Sequence, residues 1–327
     1  MSDQHHTSLP FVIDVCSRFE PSQVRVAYDP APRPTTPQLE ELIAAEWERQ
    51  TAIARQRDLM LFNGKLLRYV RHEVTIESLS HHCSNGHNSG TGHDCGAGVS
   101  PVSDHRPGAR ATGNTGTASE SVGRERLHLT VGPTCYRDFV GTNLFNHHRL
   151  GEFSWDLFSN PIGTTATLLT RDGRICYGRR STRVAYHAGH IHTFGGGLEE
   201  RDKGPDGSID PFTSLCRELV EELAIPRHEL IDLCCVGLIR DKEIHQPELL
   251  FEARLDISAI ELRRRWVSAE GKDEHDEIVS IEDQPEAVAP FIRTCGPIAP
   301  VAIGALFLHG RRRWGEDWFR QTSRVSP

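Results

Sequence analysis

Residues 195–225 read GGGLEERDKGPDGSIDPFTSLCRELVEELAI: a glycine run, a long charged connection, then Arg217, Glu218, Glu221 and Glu222 within six positions. Leu215, Leu219, Val220 and Leu223 recur at helical spacing, and Asp210 followed by Pro211 supplies an N-cap and first-turn residue, so a helix is predicted from there. On that helix Glu218, Glu221 and Glu222 fall within about 100° of arc. Carboxylates so placed repel one another, and exposed helices usually interleave them with bases. From Glu218 to Leu230 the bases are Arg227 and His228. A solvated charged face is the bland reading. A hard divalent cation, which prefers oxygen ligands and bridges to substrate phosphates, explains the cluster better.

The rest of the chain supplies a frame for this stretch. Its 327 residues suffice for one large domain or two modest ones. With 37 Lys and Arg against 45 Asp and Glu, the charge of -8 leaves no basic footprint for nucleic acid, so a polyanionic substrate would need a metal. No leader-like N-terminus and no apolar run of transmembrane length is visible, and the nine cysteines have no repeating spacing. A cytoplasmic protein with reduced thiols and no membrane or nucleic-acid partner is expected.

Residues 11–28 read as two short strands split by Glu-Pro-Ser, and Thr36-Pro37 opens a helix ending near residue 56. Residues 66–80 and 126–134 alternate as strands. Between them a Gly, Ser, Thr and His tract has too few large apolar residues to offset its ordering entropy and is expected to be a disordered excursion from a β-hairpin. Its His81, His82, Cys83, His87, His93 and Cys95 match no regular zinc spacing. Residues 136–148 read as a helix or helical turn. The strands PIGTTATLLT, RICYGRRS, HIHTFGGG, IDLCCVGLIRD, ELLFEARLD and EIVSIED follow, with a final helix at GPIAPVAIGALFLHGRRR. Strands on both sides of the acidic helix imply an α/β (α+β) layered fold, a mixed sheet between helices. The expected divisions are an N-terminal β-rich and helical extension at 1–80, continued at 126–160, the low-complexity insert at 81–125, a main domain at 161–312 and a tail at 313–327.

The opening stretch resembles the Nudix hydrolase box: Gly, five residues, Glu, seven residues, then Arg-Glu-apolar-x-Glu-Glu-x-Gly-apolar. RELVEELAI at 217–225 matches the second half, with Ala224 in place of glycine. Gly196 plus five residues reaches Asp202 in place of the family's glutamate. Fourteen residues (203–216) then separate Asp202 from Arg217, seven more than the family has, and KGPDGSI at 203–209 is the natural insertion. The resemblance implies metal ligands at Glu218, Glu221 and Glu222, an orienting arginine at Arg217, and Mg²⁺ or Mn²⁺ as cofactor. The implied chemistry is attack of a metal-activated water on a diphosphate. Gly195, Gly196 and Gly197 would let the backbone approach the site.

A second set of segments, TCYRDFVGTN (134–143), NPIGTTATLLT, PELLFEARL, EHDEIVSI and AIGALFL, is similar to the animal UDP-glucose and UDP-galactose pyrophosphatases of that family. This likeness implies hydrolysis to UMP and a hexose 1-phosphate, with a small nucleoside diphosphate sugar as partner and a homodimer as an option. Nudix hydrolysis of ADP-ribose, a dinucleotide or a coenzyme A derivative is the alternative within the enzyme class, and a non-catalytic Nudix-fold binding module is the alternative outside it. Tyr136, Arg137, Thr142 and Asn143 suit a polar ligand, against the plainer possibility that Asp138 and Asn143 tie a helix to the sheet. Asp202, Glu248 and Glu277 are candidates for a further acid or base, with His275 assisting. His187, His190 and His192 are weighed between substrate contact and a satisfied polar strand face, on which alternation would put His190 and His192 together, and Arg179 and Arg180 between phosphate contact and a solvated strand end.

Overall fold

The computed structural model describes residues 9–57, 59, 61–77, 124–184 and 186–324. Residues 81–123 of the expected insert, with its candidate zinc ligands, lie outside the described residues. The chain divides into a main unit, residues 1–75 and 126–327, and a second unit, residues 76–125, of which the strand ends 76–77 and 124–125 are described.

In chain order the elements are β1 (Phe11–Phe19), β2 (Val24–Tyr28), α1 (Pro37–Arg57), β3 (Lys65–Glu77), β4 (Arg124–Cys135), α2 (Tyr136–Phe139), β5 (Gly163–Leu169), β6 (Arg174–Arg180), β7 (Ile191–His192) and β8 (Phe194–Gly197). They continue as α3 (Pro211–Leu223), β9 (Leu230–Asp241), β10 (Pro247–Leu255), α4 (Ala259–Trp266), β11 (His275–Glu282), α5 (Pro285–Thr294), α6 (Pro300–Trp314) and α7 (Glu316–Ser323). Among the described residues, eight strands form one sheet in the order β1-β9-β10-β5-β6-β11, with β7 on β6 and β8 on β5. β10 and β5 run parallel while the other pairs are antiparallel, so the sheet is mixed, as the strand and helix order predicts. A second sheet orders β2-β4-β3, so β3 and β4 are hydrogen-bonded neighbours.

Strand alternation produces the layers. Along β10, Leu249, Phe251, Ala253 and Leu255 join a core with Leu215, Leu219 and Leu223 of α3 and Leu262 of α4. Leu250 faces the other way, into a core with Val288 and Ile292 of α5 and Ile303, Leu306 and Phe307 of α6. β5 lies between β10 and β6/β8 and is buried along its whole length, which suits its run of Thr, Ala and Leu.

Two expectations are corrected. Residues 136–148 are not one helix: α2 gives way to a wide π-type turn at Val140–Leu144 and a 3-10 turn at His147–Arg149. Thr142 Oγ1 donates to the Asp138 carbonyl (2.6 Å), a back-bond of the kind that distorts a helix. The helix of 300–314 is not final either, since α7 folds back beside it and packs Trp318 and Phe319 near Phe307.

His309 of α6 ties the layers together. Its Nδ1 faces Glu252 of β10 (3.1 Å) and its Nε2 faces Asp283 (2.8 Å), with the ring 2% exposed. Burial alone would depress this imidazole, but the hydrogen bonds to Asp283 and Glu252 raise it to about 8. A base whose pKa is raised on folding contributes its full stability below the unfolded value and loses it as pH rises through the folded one. Unfolding by urea should therefore show on the order of 2 kcal/mol lost between pH 6.5 and 9, and a His309→Gln variant should lack that loss. An identical slope in the variant would contradict the assignment.

Candidate active site

The acidic helix starts where the sequence places it. Asp210 Oδ1 accepts from Phe212 N (3.0 Å), Pro211 fills the first turn, and the helix stops at Ala224, whose φ of +55° is left-handed. That conformation costs an L-residue about 1 kcal/mol and explains why the box has glycine at this position. The inserted segment closes on itself: Gly204 N–H donates to the Ser208 carbonyl (2.7 Å), and Lys203 bridges to Ile209. Asp202 is thereby returned to α3.

α3 lies against β8. Glu222 is 3% exposed, and its Oε2 accepts from Gly195 N–H (2.9 Å). Glu218 lies over Gly196, where a Cβ would sit 2.6 Å from its carboxyl carbon. Gly195 has φ +139°, and a Cβ there would lie 2.1 Å from the Thr164 carbonyl oxygen. Gly195→Ala should accordingly destabilise the fold by about 2–3 kcal/mol, read as a lowered denaturation midpoint. An unchanged midpoint would show that β8 tolerates the extra carbon.

Arg217 gathers the remaining acids. Its guanidinium reaches Glu218 Oε1 at 2.7 Å, Asp202 Oδ1 at 3.2 Å and Glu221 Oε2 at 3.3 Å. Asp202 also accepts from Glu199 N–H and Ser214 Oγ, both at 2.9 Å, so it serves as an anchor for Arg217 and the head of α3. Glu221 is turned toward Arg217 and Arg201 rather than toward the glycines. Burial, opposed by Arg217 and reinforced by Glu221 and Glu199, pushes Glu218 up to about 7. Burial, with Glu274 and Glu218 adding, holds Glu222 well above the usual carboxylate range.

Two neighbouring carboxylates raised chiefly by burial, Glu222 fully and Glu218 partly enclosed, are suited to a cation. Among the described residues, no three His, Cys, Asp or Glu side chains converge closely enough in this arrangement to hold an ion by themselves. Glu218 and Glu222 nonetheless fit a magnesium-like ion, which takes one or two protein carboxylates and completes its shell with water and substrate phosphate.

Beyond the glycines opens a cavity of about 220 Å³. Tyr136 and Gly195–Gly197 line it, as do Asp241 and Glu248 at the β9–β10 hairpin. Burial, with the Asp241 charge nearby, pushes Glu248 up to about 8. Arg180, Tyr186, His187 and His192 line it as well. Burial, with Arg180 contributing, depresses His192 to about 3, and burial likewise depresses His187, so both rings are neutral. Arg180 donates Nε–H to the Tyr186 carbonyl (3.1 Å), and its charge also acts on Glu222.

Several expected contacts go elsewhere. Arg137 pairs with Glu40 (3.0 Å) and does not line the cavity. Asn143 is fully buried, donating to Asn160 Oδ1 (2.9 Å) and the Ile244 carbonyl (2.8 Å), and Thr142 Oγ1 accepts from Ser159 N–H. Both tie the turn to Ser159, Asn160 and Ile244, and neither lines this cavity. Glu277 is exposed and pairs with Arg179 (3.2 Å) across β11 and β6. His275 is buried against Phe194 (4.9 Å), its ring nitrogens without a hydrogen bond among the described residues. His190 lies just before β7, so it does not share a strand face with His192. The sequence reading missed Asp241, Tyr186, Gln246 and Glu274, all of which line the cavity. Two acids bracketing the hairpin, Asp241 and Glu248, were the available signal.

No family model matches the sequence. Mouse uridine diphosphate glucose pyrophosphatase NUDT22 is 25% identical over 221 residues, covering 61% of this chain and 71% of its own. Nudix hydrolase 9 of Arabidopsis thaliana is 26% identical over 289 residues, covering 78% and 76%. A solved MutT protein from Methanosarcina mazei matches 50% of this chain at 16% identity with a TM-score of 0.28, too low to add to these. The chain thus resembles members of the Nudix hydrolase superfamily, NUDT22 among them. Among the described residues no helix is long and apolar enough to cross a membrane.

Proposed function

We propose that this chain hydrolyses the diphosphate bond of a nucleoside diphosphate sugar, UDP-glucose or UDP-galactose, to UMP and hexose 1-phosphate with Mg²⁺. The observation that carries this reading is the pair Glu218, half-buried, and Glu222, buried, against the backbone of Gly195 and Gly196 beside a cavity that also holds Arg180 and Glu248. Residues 161–312 would form the catalytic domain, with 1–80 and 126–160 as its extension. The seven described cysteines are free thiols, which supports a cytoplasmic setting.

Glu218 and Glu222 would hold the ion, which when bound polarises phosphoryl oxygens and lowers the pKa of water. Arg217, fixed by Asp202, orients Glu218 and Glu221. Arg180 offers donors to the phosphate oxygens that carry the charge. Glu248, with a pKa near the working range, takes the proton from the attacking water. The Gly195–Gly197 backbone lets the diphosphate approach α3 without a side chain between them.

The capture of Asp202 by Arg217 favours a second reading, a ligand-binding module without turnover, because a carboxylate that the box provides is already engaged. Phosphorus NMR of product mixtures separates the two. UDP-glucose with Mg²⁺ should give UMP and glucose 1-phosphate. Cleavage of ADP-ribose but not UDP-hexoses would change the substrate, and binding without cleavage of any of them would establish the module.

A further inference from the structure

Farther along the same face of the large sheet, a small cavity of about 130 Å³ collects charged side chains from several elements. Side chains alternate along β10, so Glu248, Glu252 and Arg254 share a face. Glu248 lines the cavity of the candidate active site, whereas Glu252 and Arg254 line this one. At about 3.3 Å per residue the two places lie roughly 13–20 Å apart along the strand. The last turns of α6 add His309, Arg312 and Arg313, and Arg18 of β1, Asp232 of β9 and Asp283 just past β11 complete the charged lining.

The charges do not cancel. Four guanidiniums meet three carboxylates, Asp232, Glu252 and Asp283. His309 adds a further positive charge, because a ring with one nitrogen 3.1 Å from Glu252 and the other 2.8 Å from Asp283 carries a proton on both. The lining therefore holds an excess of two positive charges, one of which is offset by Glu20, paired with Arg18 at 2.9 Å. The donors are also unevenly used. Arg18 gives Nη2–H to Asp232 (3.0 Å), and Arg312 Nη1 lies 2.8 Å from Glu252. Arg313 Nε stands 3.8 Å from Asp283 Oδ2, too far for a hydrogen bond. Arg254 makes neither a hydrogen bond nor an ion pair among the described residues, and its charge reaches Asp283 only through space. Arginines in a last helical turn answer the negative end of the helix dipole, which accounts for Arg312 and Arg313 as features of α6. It does not account for Arg18 and Arg254, which two strands bring to the same cavity.

We propose that this cavity binds a phosphate dianion, as free orthophosphate or as the phosphate group of a monoester, gripped by the exposed Arg254 and Arg313 above the buried His309. Planar guanidinium forks match pairs of phosphate oxygens, and these two have hydrogen bonds to give. Glu252 and Asp283 do not turn the anion away, since His309 engages both and Arg312 engages Glu252. The volume agrees, being well below the roughly 300–1,000 Å³ of sites for larger ligands, so a phosphate enters while the rest of a monoester stays outside. No residue of α3 or β8 takes part, so the site stands independently of the diphosphate hydrolysis proposed above.

Isothermal titration of inorganic phosphate into the full chain tests this, without divalent cation and with ionic strength held constant by chloride. Wild type should bind phosphate, and Arg254→Gln and Arg313→Gln should each weaken that binding about tenfold while staying folded, since neither side chain makes a hydrogen bond in the protein. Arg180→Gln, which removes the guanidinium of the other cavity, should bind phosphate as wild type does. Equal affinity in wild type and folded samples of Arg254→Gln and Arg313→Gln overturns the proposal, as does binding lost in Arg180→Gln but kept in those two. Absence of phosphate binding to wild type overturns it as well, even where UDP-glucose is hydrolysed. Glucose 1-phosphate, titrated in parallel, separates the sources. Binding that matches phosphate and weakens in Arg254→Gln supports a monoester ligand, and its rejection with phosphate still bound supports the free anion.

Discussion

Glu222→Gln is expected to lower turnover of UDP-glucose about a hundredfold or more while leaving the protein folded. The amide is isosteric, and its oxygen can still accept the Gly195 N–H that Glu222 accepts at 2.9 Å. What disappears is the negative charge, and with it the ability to hold a cation at α3. Stability should move the other way. Burial raises the folded-state pKa of Glu222 above its ordinary 4.5, so its ionisation works against folding once the pH exceeds that value. The metal-free variant should thus melt at or above the wild-type midpoint near neutral pH. The rise in midpoint that Mg²⁺ gives the wild type should be absent. Wild-type turnover in a folded Glu222→Gln sample, measured by product release, would remove this residue from the mechanism.

The second large effect is expected at Glu248. With its pKa at about 8, most of the base form appears only as the pH passes that value, so turnover should climb with pH and level off above it. Glu248→Gln should lower turnover about 10²- to 10⁴-fold and flatten that limb. A pH–rate profile from pH 6 to 9.5 checks both effects. If the variant keeps the limb, another group is the base and Glu248 only shapes the sugar end of the cavity.

How much of this was legible beforehand follows from how local each interaction is. The helix carrying Glu218, Glu221 and Glu222 is written within a dozen residues, since its cap at Asp210 and its apolar stripe are neighbours in sequence. The mixed sheet between helices was legible from the order of strand and helix patterns. The side-chain partners were not, because they arrive from far along the chain. Asn143 looks like a ligand-binding amide until Ile244, 101 residues on, takes its N–H. Glu277 resembles a site carboxylate until the pairing of β11 with β6 puts Arg179 beside it. Arg180, one position on, faces the cavity instead, a distinction that turns on which way one strand residue points. Asp202 shows the same limit: the sequence places an acid there, but its capture by Arg217 needs the inserted turn to close.

The claim on which the rest depends is that Glu218 and Glu222 together hold a divalent cation at the glycine strand. Manganese is a spectroscopically visible substitute for magnesium at oxygen ligands, and its free-ion paramagnetic resonance signal reports uptake without any substrate. Wild-type protein titrated with Mn²⁺ should deplete that signal, and the folded double variant Glu218→Gln, Glu222→Gln should leave it at the protein-free level. Equal depletion by both proteins would place the ion elsewhere and contradict the account.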